Sequence, residues 1–227
     1  MSGKRISTGI PELDALIEGG LRESKTYLVL GCPGTGKSVL SLQFLVRGLM
    51  EKEKCLYVAI DEKPADVIEQ ASSLGWDLAP FIESKEFLIL DASAYFGARA
   101  GDPGKGVDIQ RVAADLNTYI TRMGAARLVI DPVGPLLAGR NPDQARQLIY
   151  ALQGNAGTTN LLTTYGADMA PHGIEEYLVA GTILLEMELI EGRYQRKLTI
   201  QKMRGTALAP AQYPFQIVAD RGIVFKS

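Results

Sequence analysis

Gly31-Cys32-Pro33-Gly34-Thr35-Gly36-Lys37-Ser38 satisfies the pattern G-x-x-x-x-G-K-[ST]. Glycines at these positions let the backbone curl until several N–H groups point at one anion. Lys37 adds a positive charge where β- and γ-phosphates would lie, and Ser38 offers a hydroxyl to Mg²⁺. The preceding run Tyr27-Leu28-Val29-Leu30 reads as a buried strand. The segment Ser38 to Met50 reads as a helix whose positive N-terminal end faces the phosphates. A strand, this loop and a helix in that order form a phosphate-binding P-loop, with Mg²⁺ expected beside the phosphates.

Outward from the loop, short apolar runs alternate with helical patterns. Cys55–Ile60, Phe87–Leu90, Leu128–Ile130 and Asn160–Thr163 are continuous apolar or β-prone strands, and Ala65 to Leu74 and Gln144 to Leu152 read as helices. Ile109, Val112, Leu116, Ile120 and Met123 recur at spacings of three and four, with Asp108 placed as N-cap. Such alternation predicts an α/β fold with a mostly parallel central sheet covered on both faces. From Gly181 the pattern changes. Ile183, Leu185, Met187 and Leu189 alternate with polar or opposite-face residues, Glu191-Gly192-Arg193 is a turn, and Leu198 and Ile200 resume the alternation. This predicts a C-terminal antiparallel hairpin with one wet face, followed by a short hairpin turning at Asp220-Arg221-Gly222. Gly97 to Gly106 reads as a long surface loop.

The chain has 227 residues, which fits one domain over 1–227 and a core that needs no disulfide or metal to fold. With 24 Lys+Arg against 26 Asp+Glu, the net charge of −2 argues against a protein whose main work is gripping nucleic acid or an anionic membrane. Cys32 and Cys55 are too few for a disulfide framework or zinc ribbon. Met1-Ser2-Gly3-Lys4-Arg5 runs into no apolar h-region. The apolar stretch Leu178–Ile190 is interrupted by Glu186 and Glu188. No signal peptide or membrane span is expected, and the expected location is cytoplasmic.

Three further sites carry chemistry. Asp131 ends a strand beside the P-loop, where an acid holds Mg²⁺, often through water. Asp61-Glu62 leave the Cys55–Ile60 strand. Residue chemistry alone leaves them open between a water-activating carboxylate and a solvated acidic loop before Pro64. Lys202 and Arg204 lie two apart and share one face of an extended strand, which suits a phosphate partner or two solvated strand-end charges. His172, the lone histidine, makes neither a metal site nor a triad.

The sequence resembles a single KaiC-type ATPase domain of the RecA/RadA superfamily over nearly its whole length. The carrying motifs are Thr8-Gly9-Ile10-Pro11-Glu12-Leu13-Asp14 with Gly19-Gly20, the P-loop, Asp61-Glu62-Lys63-Pro64, Leu74-Gly75-Trp76-Asp77-Leu78, and Lys202-Met203-Arg204-Gly205-Thr206 with Tyr213-Pro214-Phe215. The resemblance implies a RecA-like P-loop core and ATP hydrolysis by a ring, usually a hexamer, with sites between subunits. It gives Glu62 the catalytic glutamate position and Asp61 that of its acidic neighbour. Lys202 and Arg204 take the pair that reaches a neighbour's γ-phosphate, an arginine finger in effect. Lys37 joins these as a catalytic residue. Gly34, Thr35, Gly36, Lys37, Ser38, Val39, Ser73 and Asp220 form the expected nucleotide-binding set, and Ser38 and Asp131 the metal set. Leu208 and Pro210 stand where the family often has a polar residue and a lysine, a departure that touches base and ribose contacts. The Ser-Thr pair phosphorylated in one half of the family's two-domain clock protein falls at Glu176-Tyr177, so autokinase activity is not expected. The expected output is nucleotide-state signalling to an unidentified protein partner. A DNA-binding recombination ATPase is the alternative. The loop Val133 to Asp143 carries one basic residue, Arg140, and Tyr165 to Glu175 none besides His172, which is sparse for a phosphate-gripping channel. A non-hydrolysing nucleotide-dependent interaction module is the other alternative.

Overall fold

A computed structural model describes residues 3–92, 108–137, 142–154, 157–165, 174–209 and 211–226. The Gly97–Gly106 loop, Arg140, His172 and Pro210 lie outside the described residues.

The P-loop context forms as its residues require. Strand β3 (Thr26–Gly31) is buried throughout and runs into the loop, and α2 (Lys37–Met50) leaves it. Gly36 caps that helix at φ 108°, a left-handed conformation that costs a glycine nothing. Strands β4 (Cys55–Ala59), β5 (Phe87–Asp91), β6 (Arg127–Asp131) and β7 (Thr159–Thr164) follow. Helices α3 (Pro64–Ser73), α4 (Ala79–Glu83), α5 (Ile109–Met123), α6 (Gly134–Leu137) and α7 (Pro142–Gln153) lie between or beside them. Asp108 caps α5 as expected, accepting from the N–H groups of Gln110 and Arg111 at 3.0 and 3.2 Å. A small N-terminal unit, β1 (Arg5–Ile6), α1 (Pro11–Leu16) and β2 (Leu21–Arg22), precedes the core.

Short helix α8 (Ile174–Leu178) leads to β8 (Gly181–Ile190), β9 (Arg193–Met203), β10 (Gln212–Val218) and β11 (Gly222–Phe225). Among the described residues, all strands but β1 and β2 join one nine-stranded sheet in the order β11-β10-β9-β8-β3-β7-β6-β4-β5. The six strands from β8 to β5 run parallel, and β9, β10 and β11 add antiparallel.

The antiparallel hairpin forms as expected, with one addition and one correction. The strand read as the first arm of an appended hairpin, β8, is itself a member of the parallel sheet, hydrogen-bonded along β3 from Tyr27↔Gly181 to Gly31↔Leu185. And the dry face of the hairpin does not extend to its tip. Ile183 and Leu185 are buried, but Met187 and Leu189 are 38% and 59% exposed. The cause is length: β3 ends opposite Leu185, so the outer half of the hairpin projects past its neighbour.

The core has two layers, one on each sheet face. Leu40, Phe44, Tyr57, Val129 and Phe215 belong to the first. Leu28, Val58, Val112, Leu128 and Leu148 belong to the second. Parallel strands covered on both faces explain the continuous apolar runs. Among the described residues no helix is long and apolar enough to cross a membrane.

Candidate active site

Parallel strands carry their C-terminal ends to one edge of the sheet, the usual place for ligands in such folds. There the P-loop follows β3, Asp61 and Glu62 follow β4, and Asp131 ends β6. These residues line one cleft of about 470 Å³, with Gly34, Gly36, Lys37, Ser38 and Val39 on its P-loop side. Gly31 admits no side chain, because a Cβ would stand 2.5 Å from Thr35 Oγ1 and 2.7 Å from the Leu185 carbonyl oxygen.

Within the loop, the Lys37 ammonium donates to the carbonyls of Gly31 at 2.7 Å and Cys32 at 3.1 Å. Burial pulls its pKa down, while the Asp131 carboxylate opposes the fall. Thr35 Oγ1 donates to the Cys32 carbonyl at 2.8 Å, which fixes the turn.

Asp131 is 8% exposed and held at both oxygens. The Tyr57 hydroxyl donates to Oδ2 at 2.7 Å, and Thr163 Oγ1 donates to Oδ1. Burial, with the Asp131 charge beside it, drives the Tyr57 phenol well above its ordinary pKa, so it stays a donor. Ser38 and Asp131, the two residues expected to serve the metal, line the same cleft. Each held oxygen keeps a second lone pair. A hydroxyl, one fixed carboxylate and room for water and phosphate suit Mg²⁺, which usually keeps several waters and takes few protein ligands.

Glu62 accepts a hydrogen bond from Gln70 Nε2 of α3 at 2.7 Å. Partial burial raises its pKa, the Gln70 bond opposes the rise, and the charges of Asp131, Asp66 and Asp61 add to it. Asp61 is bonded from the Tyr165 hydroxyl at 3.4 Å, so the two acids have different supports.

Arg196 was not anticipated. From β9 its Nε donates to the Gly34 carbonyl at 3.1 Å, which sets a cation of the same chain against the P-loop. Its register with Leu198 and Ile200 was the available signal: a cation on the face that otherwise alternates apolar. Tyr57, Thr163 and Tyr165 were also missed, since each looks like ordinary strand composition.

Ser73 and Asp220 lie outside the residues that line the cleft. Ser73 Oγ donates to the Gln70 carbonyl of its own helix at 2.7 Å, and the Asp220 N–H donates to the Leu74 carbonyl at 2.9 Å, so the two lie near each other.

Lys202 and Arg204 lie elsewhere. Lys202 is opposite Thr182, which pairs with Leu28 near the start of β3, whereas the P-loop begins beyond Gly31, opposite Leu185. Three residues of strand separate these levels by about 10 Å. Both cations turn to the end of α8. Lys202 Nζ donates to the Glu176 carbonyl at 2.7 Å and the Tyr177 carbonyl at 3.2 Å, and Arg204 Nη2 to the Tyr177 carbonyl at 2.7 Å. Burial and the neighbouring Arg204 charge lower the Lys202 pKa.

The family model described as ATPase: KaiC matches residues 6–227. A UPF0273 protein of Thermotoga maritima is 33% identical over 97% of this chain and 95% of that protein. The circadian clock oscillator protein KaiC of Prochlorococcus marinus is 31% identical over 99% of this chain, which spans 46% of that longer protein. The crystal structure of a KaiC-like protein from Pyrococcus horikoshii superposes with a TM-score of 0.84 at 28% identity, covering 99% of this chain and all of that one.

Proposed function

The chain belongs to the KaiC family of ATPases, and on that premise we propose that it hydrolyses ATP at sites completed between neighbouring copies in a hexameric ring. The observation that supports this most is the division of the machinery. The P-loop, Glu62 and Asp131 share one end of the sheet, while Lys202 and Arg204 of the same chain stand levels away from it. A neighbour is the natural recipient of that pair.

In this reading the P-loop N–H groups and Lys37 bind and orient the phosphates. Ser38 and Asp131 would hold Mg²⁺, which when bound neutralises charge on the β- and γ-phosphate oxygens. Glu62 orients a water in line with the γ-phosphate and takes its proton, and its raised pKa suits a base. Lys202 and Arg204 of the adjoining copy stabilise the charge of the transition state. Ser73 and Asp220, adjacent to one another and outside the P-loop cleft, would meet the nucleoside end. Glu176 has no hydroxyl to phosphorylate, and the bulk and ring of Tyr177 place its hydroxyl differently from that of a Ser or Thr, so the proposed output is signalling to a protein partner by nucleotide state rather than by autophosphorylation.

The test is phosphate release from Mg²⁺-ATP by the purified chain, read with native mass spectrometry over a dilution series. Turnover should fall more steeply than linearly as assemblies dissociate. A rate per chain that is unchanged by dissociation would contradict a shared site.

A further inference from the structure

Away from the P-loop cleft, a second concavity of about 640 Å³ runs along β5, an edge strand of the sheet. Ile68 of α3 and Ile82 of α4 wall it on one sheet face. Tyr119 and Met123 of α5 wall it on the other, and Leu88 and Ile89 of β5 form its floor. These side chains are only partly covered, and Tyr119 is 44% exposed. The volume lies in the range of small-molecule sites, roughly 300–1,000 Å³, which are mostly apolar with a few convergent polar groups.

The polar groups here are all of one sign. Among the described residues, Lys54, Lys85 and Arg122 line the concavity and no carboxylate does. None of the three pairs with an acid among the described residues. The nearby Glu86 accepts instead from Ser84 Oγ at 3.0 Å.

The cations also gather at one end. Lys54 immediately precedes β4, and Lys85 stands two residues before the start of β5. Arg122 lies in the last turn of α5, whose chain returns to the same level through the Ala126 N–H bonded to the Lys54 carbonyl at 2.8 Å. From there the apolar walls extend toward the other end of the strands, Tyr119 lying one helical turn beyond Met123.

We propose that this groove binds an amphipathic monoanion. Its carboxylate or equivalent head sits among Lys54, Lys85 and Arg122, and its apolar body lies along β5 between α3 and α5. Three cations with no acid partner among the described residues, set beside an apolar trough, favour an anionic head, and an apolar body removes the trough from water. The proposal does not depend on the nucleotide chemistry.

Dodecanoate, below its micelle concentration, is the probe, added to the full chain and followed by calorimetry and methyl NMR. One-site binding should shift the methyls of Ile68, Ile82, Ile89 and Met123. Lys85→Glu with Arg122→Glu should weaken it about tenfold or more, equivalent to about 1.4 kcal/mol. Ile68→Trp, which fills the trough without changing charge, should block it. Dodecyltrimethylammonium should leave these methyls unmoved. Any of four results would overturn the proposal: no shift at these methyls, binding indifferent to both variants, equal binding of the cationic amphiphile, or a hexaglutamate peptide binding as tightly. Methyl shifts that track protein dilution instead would assign the groove to a second copy and also overturn it.

Discussion

Glu62 is set by opposing influences: burial and neighbouring acids raise its pKa, and the Gln70 amide lowers it. The proposed base works only when ionised, so on that reading activity should fall as pH drops through the raised pKa. Gln70→Leu removes the group that favours the carboxylate, and the acid limb of the pH–rate profile should then move to higher pH. Glu62→Gln should keep ATP binding and lose turnover, because an amide orients water without accepting its proton. Phosphate-release profiles for the three proteins check both statements; an acid limb that Gln70→Leu leaves in place would remove Glu62 as the base. Asp131 shows how much of this was legible beforehand. Its position at a strand end beside a P-loop was visible because chemistry and sequence neighbourhood coincide. Its holders Tyr57 and Thr163 were not, since they meet Asp131 only through the registers of β4 with β6 and β6 with β7.

Strand β6 carries a second buried polar group, Arg127, which is fully buried. It bonds Glu53 at 2.5 Å, Glu51 at 2.8 Å and the carbonyls of Ser7 and Phe44 at 2.7 Å each, and its guanidinium lies 4.7 Å from the Phe44 ring centre. One side chain thus ties the N-terminal unit, α2 and the central sheet together. Arg127→Met strips partners from both carbonyls and both acids and should cost about 3–5 kcal/mol in denaturant unfolding. Arg47→Ala, which breaks the exposed pair with Glu51, should cost under about 1 kcal/mol. Equal effects would contradict the role given to Arg127. The sequence reading began this strand at Leu128 and passed Arg127 over, because a charge next to an apolar run reads as a solvated strand end. The helices and parallel strands themselves were legible: continuous apolar runs and the Ile109–Met123 periodicity need no long-range information. The double membership of β8 was not, because alternation in Gly181–Ile190 fits its antiparallel neighbour β9 and conceals its parallel pairing with β3.

That hidden pairing is what separates the two halves of the proposed machinery. With β8 parallel to β3, the chain must return along β9 toward the start of the sheet before reaching Lys202 and Arg204. The motif is fixed there from several directions. Arg5 Nη2 donates to the Gly205 carbonyl at 3.2 Å and to Thr206 Oγ1 at 3.1 Å, and the Arg204 N–H donates to the Ala180 carbonyl at 2.7 Å. A rigid sheet holding the P-loop cleft at one end and a cationic pair at the other is a unit suited to head-to-tail closure. Mixing two inactive variants tests this most directly. Lys37→Ala should lose tight ATP binding yet still present Arg204. Arg204→Ala should bind ATP in its own P-loop and lose about 10³-fold or more in rate, the effect expected of an arginine finger. Combined, they should recover part of the wild-type phosphate release, because some mixed interfaces pair an intact P-loop with an intact Arg204. A mixture that stays inactive while native mass spectrometry shows mixed assemblies would contradict the shared site.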